Sequence, residues 1–269
     1  MLERHPRLKS VFMAFARWMF KKSPAALAGA RGIDIYSAIS DMHLHQEHFF
    51  YDECGLPATF QTWFRITNLH AWLLVVRFRS LSKEHGRIFI QALVTNFFHD
   101  VEDRMRDALA IHPPGRKKPV AAPERVVTRY MKIYREQWNG LHIMFDIALA
   151  QPYASDTEFA AAIWRNFLGG RGARGIPGLP PLSPQDLPPL ETGKGAVMPD
   201  ADADWDHARN DLDAYVNYPR HMFVLLRYIR QQTLRLAAIP NEEILNGNVG
   251  EFPKIDTTVD IQSLPPLRP

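Results

Sequence analysis

The chain is poor in the features that settle a function at once. It holds one cysteine, Cys54, among 269 residues. A single thiol excludes an internal disulfide framework, and without a CxxC pair there is no zinc or dithiol redox motif. Cys54 is read as a small, half-buried apolar residue. No apolar run approaches the roughly 18 residues of a membrane span. The densest, Leu69 to Val76, is ended by Arg77 and Arg79. GxSxG elbows and Walker loops are missing and no GxGxxG stands before a helix, which removes common hydrolase and nucleotide-binding signatures. Charge of one sign is also scarce: a formal +3 is too weak to argue binding to DNA or any other nucleic acid.

What the sequence does have is helical periodicity. A hydrophobic fraction of 46% is enough to bury a core. Apolar steps of three and four predict helices over 34–51, capped by Asp34, and 59–80, with Thr59 as N-cap after Pro57. Further helices are predicted over 86–110, 124–150 and 156–168, the last capped by Ser155 or Asp156. Along 124–150, Met131, Tyr134, Trp138, Leu141, Phe145 and Ala148 form one continuous stripe. Residues 169–204 are dense in Gly and Pro and read as a loop. Within it, residues 169–175 carry Arg171 and Arg174; a flexible hinge is favoured over a loop that wraps a phosphate or an acidic partner. Residues 205–238 return to helix, with a kink or break expected at Pro219, and 239–269 read as an extended tail.

Residues 1–33 form a basic N-terminal helix and linker in this reading. Pro6 followed by Leu8, Val11, Phe12, Phe15 and Met19 has helical spacing. That favours an amphipathic helix of a chain whose presequence is absent over a transit peptide. The expected fold class is therefore all-α: a single helical domain of six or more helices, with 34–168 as its core, 205–238 packed on it, a Gly/Pro-rich loop and an extended C-terminal tail.

On a helical wheel the 59–80 segment sorts into a wide apolar arc and an opposite stripe holding Gln61, Arg65, Asn68, Trp72 and Arg79. Trp and Arg anchor interfaces, so Arg65, Trp72 and Arg79 are assigned to a partner-binding surface; the alternative is that another helix covers Trp72. His70 and Arg77 fall on the apolar arc. His70 reads as a hydrogen-bonded core histidine. A buried guanidinium needs a counter-group, and Asp100, Glu102 or Asp103 is expected to form a buried ion pair with Arg77.

Two clusters carry metal-ligand residue types. His99-Asp100, with His43, His45 and His48 upstream and Asp146 downstream, has the ligand types of a metal-dependent helical phosphohydrolase. Against it, residues 100–104 also read as a charged helix face with an Asp100–Arg104 pair. The cluster His43, His45, His48, Asp52 and Glu53 would spread its ligands around a helix. No catalytic residue, cofactor or metal is expected.

Five motifs carry a resemblance. Phe49-Phe50-Tyr51-Asp52-Glu53-Cys54-Gly55-Leu56-Pro57 leads into Thr59-Phe60-Gln61-Thr62-Trp63-Phe64. Leu69-His70-Ala71-Trp72 follows, with Val76-Arg77-Phe78-Arg79. Next come Asn96-Phe97-Phe98-His99-Asp100-Val101-Glu102-Asp103-Arg104, the run Met131 to Gly140, and Ala160-Ala161-Ala162-Ile163-Trp164-Arg165-Asn166. In this order they resemble the ubiquinol-cytochrome c chaperone family, especially its fungal members, from about residue 34 to 175 and more loosely to 238. The resemblance implies an all-helical, non-catalytic factor on the matrix side of the mitochondrial inner membrane. It implies a small partner subunit for cytochrome bc1 (complex III) assembly, contact with the mitochondrial ribosome, and binding of newly made cytochrome b. The basic N-terminus and Arg116-Lys117-Lys118 could approach ribosomal RNA or anionic lipid, which would allow peripheral contact with the inner membrane. Ordinary solvated charge explains them equally.

Overall fold

The computed structural model describes residues 24–110, 120–168 and 212–258. The basic segment 1–23, Arg116-Lys117-Lys118, the Gly/Pro-rich stretch 169–204, residues 205–211 and the end of the tail, 259–269, lie outside the described residues. The helices are α1 Pro24–Ser40, α2 Met42–His45, α3 Phe60–Arg79, α4 Lys83–Ala108, α5 Glu124–Ala150, α6 Ser155–Ile163, α7 Leu212–Ala238 and α8 Asn241–Leu245. Two π turns, His48–Glu53 and Trp164–Leu168, lie between them. The fold is all-α, with no strand among the described residues.

Helix α3 sits at the centre. Thr59 caps it as expected, its hydroxyl accepting from the Thr62 amide at 3.3 Å. Fifteen of its twenty residues are buried, so it has no solvent face; α1, α2, α4, α5 and α7 all pack against it. Phe97 of α4 is the aromatic hub. Its ring lies 5.4 Å from Phe64 of α3, 4.7 Å from Trp138 of α5 and 6.3 Å from Tyr36 of α1. One side chain thereby joins four helices.

Several boundaries depart from expectation. Helix α1 begins at Pro24 rather than Asp34, so part of the expected linker is helical. Ala28, Gly32, Ile35 and Ile39 recur at steps of three and four and are buried, against α4. A Cβ on Gly32 would lie 3.0 Å from Ala92 Cβ, so the missing side chain lets the helices approach. The helix stops at Ser40, well short of residue 51, and the Ser40 carbonyl accepts from Trp63 Nε1 at 3.0 Å. Neither expected cap serves α6: the Ser155 hydroxyl donates to the Ala148 carbonyl at 2.6 Å, and Asp156 pairs with Arg230 at 2.7 Å. Helix α7 runs through Pro219 without a break. One lost amide hydrogen bond is tolerated because Tyr218, Val224, Leu225, Tyr228 and Ile229 bury its inner face.

The segment after Pro240 is a strap rather than a loose tail. Val249, Phe252 and Ile255 are buried. The Gln46 side chain holds the strap by donating to the Pro253 carbonyl and accepting from the Ile255 amide, both at 2.8 Å.

Arg77 is buried, 5% exposed, as the wheel requires, but its partner is not a carboxylate of α4. The guanidinium donates to the Leu236 carbonyl at 2.8 Å, to the Ile239 carbonyl and Asn241 Oδ1 at 2.7 Å, and to Ser80 Oγ at 2.6 Å. The last carbonyls of α7 have no intrahelical donors, and a cation at a helix C-terminus is also stabilised by the negative end of the helix dipole. The expected acids are engaged elsewhere or exposed. Asp100 accepts from Tyr36 at 2.6 Å and Arg104 at 2.9 Å, Glu102 pairs with Arg106 at 2.6 Å, and Asp103 faces solvent.

Arg77→Ala is expected to lower unfolding free energy by about 3 kcal/mol in urea titration, because buried carbonyls lose their donors. Arg77→Lys should recover less than half of that, since one ammonium cannot span the separated acceptors. Asp103→Asn should change stability by less than about 0.5 kcal/mol. The opposite ranking would restore the ion-pair account.

Candidate interaction surface

Helices α3 and α5 meet along a polar seam. The Gln61 and Gln137 amides approach to 2.7 Å, and His142 Nε2 donates to Asn68 Oδ1 at 3.0 Å. Trp72 Nε1 donates to Asp146 Oδ1 at 3.0 Å, and Arg79 grips both oxygens of that carboxylate at 2.6 and 2.9 Å. These pairs advance together along both helices, so α3 and α5 run in the same sense. Partial burial alone would raise the Asp146 carboxyl, but the hydrogen bonds from Arg79 and Trp72 and the Arg79 charge hold it below its ordinary value.

The polar stripe of α3 is therefore interior, which corrects the expected partner surface of Arg65, Trp72 and Arg79. Trp72 is 0% exposed, with its ring 5.2 Å from Phe145 and 6.0 Å from Phe159. Arg65 is half-buried behind the Trp164–Leu168 π turn and donates to the Asn166 carbonyl. Only Arg79 reaches solvent. A wheel reports the chemistry of a face and not what lies opposite it; here α5, α6 and the π turn close over the stripe.

Two histidines are locked in the interior. His70 contacts the Ile66 carbonyl at 2.8 Å and the Tyr228 hydroxyl at 2.9 Å, which makes it the core histidine expected. Burial pulls it down to about 4. Burial likewise pulls His142 down to about 3, and its ring stacks 4.0 Å from Trp138. Cys54 is buried, and burial pushes its thiol up, away from the reactive thiolate.

The residues weighed for metal are dispersed. His99 faces solvent, while Asp100 is held by Tyr36 and Arg104 and Asp146 by Trp72 and Arg79. In the second cluster only His48 meets acids, Asp52 at 3.2 Å and Glu53 at 3.4 Å. Among the described residues no three His, Cys, Asp or Glu side chains are grouped to hold a metal ion.

One exposed face that joins charge to paired apolar side chains is the outer face of α5. Its first half is charged, with Arg129, Lys132, Arg135 and Glu136 exposed; its second half turns apolar, through Gly140, Ile143 and Ile147. Ile143 is 58% exposed and Ile147 49%. Beside this strip a cavity of about 110 Å³ opens between α3, α5 and the π turn, with Arg65, Asn68, Gly140 and Asn166 in its walls. Asn68 Nδ2 is buried without a hydrogen-bond partner. Burial pulls the Arg65 guanidinium down to about 10, so it remains charged at neutral pH. The strip escaped the sequence reading because 124–150 was read only for its inward stripe. Ile143 and Ile147, four apart and off that stripe, were the available signal.

Fold and surface together define an all-helical domain with an enclosed central helix. Residues 52–252 match the family described as "Ubiquinol-cytochrome C chaperone", and the chain belongs to that family. Over 123 residues it is 34% identical to "Protein CBP3, mitochondrial" of Saccharomyces cerevisiae, covering 46% of this chain and 33% of the yeast protein. It is 29% identical over 136 residues to "Ubiquinol-cytochrome c reductase complex assembly factor 1" of Drosophila melanogaster, covering 49% of this chain and 46% of the fly protein. The human protein of that name is 25% identical over 118 residues, covering 44% of this chain and 34% of its own. The matched region thus spans less than half of each of these relatives. Among solved structures, the Cbp3 homolog from Brucella abortus superposes with a TM-score of 0.53 at 17% identity, covering 92% of this chain and 97% of that one. This likeness bears on the fold alone.

Trp72→Ala should lower unfolding free energy by about 4 kcal/mol, the range for emptying a buried aromatic site. Arg79→Ala, at the exposed end of the seam, should cost no more than about 1 kcal/mol. Comparable small losses in urea titration would return Trp72 to the surface.

Stability should also fall with pH in a defined window. His70 and His142 have folded values below the ordinary 6.5, so between those values the unfolded chain binds protons that the folded chain refuses. Stability is retained above about 6.5 and declines toward about 4 for His70 and about 3 for His142, by up to about 1.4 kcal/mol per pH unit for each. Asp146, with a depressed value, adds its loss only below the ordinary carboxylate range. Urea midpoints unchanged between pH 6.5 and 5 would contradict the buried neutral histidines.

Proposed function

We propose that this chain is a non-catalytic assembly chaperone for ubiquinol-cytochrome c reductase, the cytochrome bc1 complex. It works with a small partner subunit on the matrix side of the mitochondrial inner membrane. It receives newly made cytochrome b near the mitochondrial ribosome and holds it until assembly. The observation that carries this reading is the family match across residues 52–252. The names of the yeast and fly relatives, one mitochondrial and one an assembly factor for this complex, point the same way.

The physical features suit the role. No helix among the described residues is long and apolar enough to cross a membrane, and contact with an apolar client would be made through exposed helix faces. The Ile143–Ile147 strip is such a face. The charge that precedes it on the same helix, Arg129, Lys132, Arg135 and Glu136, would keep it in water between clients.

Affinity purification of the tagged chain from mitochondria tests the reading. A small partner subunit, cytochrome b and ribosomal proteins should co-purify, and depletion of the chain should lower assembled cytochrome bc1 complex. Normal levels of that complex after complete depletion would overturn the proposal.

A further inference from the structure

The cavity beside the α5 strip is built around a charge without a counter-charge. Arg65 has no carboxylate within ion-pair distance among the described residues; its protein partners are neutral, the Asn166 carbonyl and the Gln61 side-chain amide, which lies 2.7 Å from Arg65 Nε. Asn68 is fully buried, yet its Nδ2 is unpartnered while its Oδ1 is occupied by His142. Burying a cation and an amide donor in this way is costly unless an acceptor arrives. The space, about 110 Å³, exceeds what a single water needs and is enough for a carboxylate. A phosphate would call for more positive charge than one guanidinium supplies. Gly140 stands at the rim, where an added Cβ would meet nothing within 4 Å. Ile143 and Ile147 continue outward from it on the same face of α5.

We propose that the cavity and strip form one docking site for a protein partner, whose carboxylate enters past Gly140 to reach Arg65 and Asn68 while adjoining aliphatic side chains lie over Ile143 and Ile147. The occupant is a carboxylate-bearing apolar segment, because the two halves of the site ask for those two chemistries at adjacent positions. The inference rests on the chaperone reading only for the presence of a partner. An occupant lacking a carboxylate would leave the guanidinium without a counter-charge and Asn68 Nδ2 without an acceptor, and a purely polar one would leave the strip exposed.

The test uses the intact chain with two probes of matched shape, 3-methylbutanoate and its neutral amide, followed by nuclear magnetic resonance of Arg65 Nε–Hε and the Asn68 side-chain amide. The carboxylate should shift both signals saturably, and the amide should not. Gly140→Leu should abolish the shift and reduce co-purified partner at least fivefold with an unchanged melting temperature, since the rim has room for the added side chain; Arg65→Met serves as a second variant if it folds. No saturable shift, or equal shifts with the amide, would overturn the socket, including the case in which the chain's own carboxylates already fill it. If partner and cytochrome b co-purify undiminished with Gly140→Leu, the docking site is wrong and the chaperone reading stands. If neither co-purifies with the unaltered chain, the chaperone reading fails and the titration alone decides the socket.

Discussion

The structure depends on the enclosure of helix α3. A helix with fifteen of twenty residues buried needs interior partners for most of the polar side chains it carries, because an unpaired buried polar group costs on the order of 1–3 kcal/mol; only Thr67 Oγ1 and Asn68 Nδ2 of this helix lack one. The neighbours are positioned by those partners. Arg77 takes the C-terminal carbonyls of α7, His70 takes the Tyr228 hydroxyl of the same helix, and Trp63 takes the end of α1. Asn68 and Trp72 take His142 and Asp146 of α5. Apolar packing around Phe97 supplies driving force but little direction, and the polar contacts set register.

Much of this frame was legible in the sequence. The 59–80 segment announced its cap in Thr59 and its centrality in its apolar breadth, and the stripe in 124–150 proved buried except for the half-buried Met131. What was not legible has a common cause: periodicity describes one helix, whereas the errors lay between helices. The stripe of Arg65, Trp72 and Arg79 has the chemistry of a partner surface, and only the position of α5 shows that its partner is within the chain. Arg77 was correctly placed in the interior, but a guanidinium is satisfied by carbonyls as well as carboxylates, and a helix end supplies those without any signature at a particular residue. The early start of α1 was hidden by its Ala- and Gly-rich composition, which looks like a linker until a second helix is laid against it.

The enclosure of α3 also bears on where partners can bind. With the polar stripe of α3 spent internally, an exposed apolar pair is found instead on the second half of α5, at Ile143 and Ile147. That strip is carried by α5, which packs on both α3 and α6. A binding face built on a helix anchored in this way keeps its shape without a client, which lowers the ordering cost of association.

Native-state amide hydrogen exchange is the most direct measurement of the central claim. If α3 organises the domain, amides within Phe60–Arg79 should be the slowest in the chain and should exchange only through global unfolding, with a denaturant dependence equal to that of the whole molecule. Exchange of α3 through a smaller opening, with α5 and α6 still protected, would contradict the account.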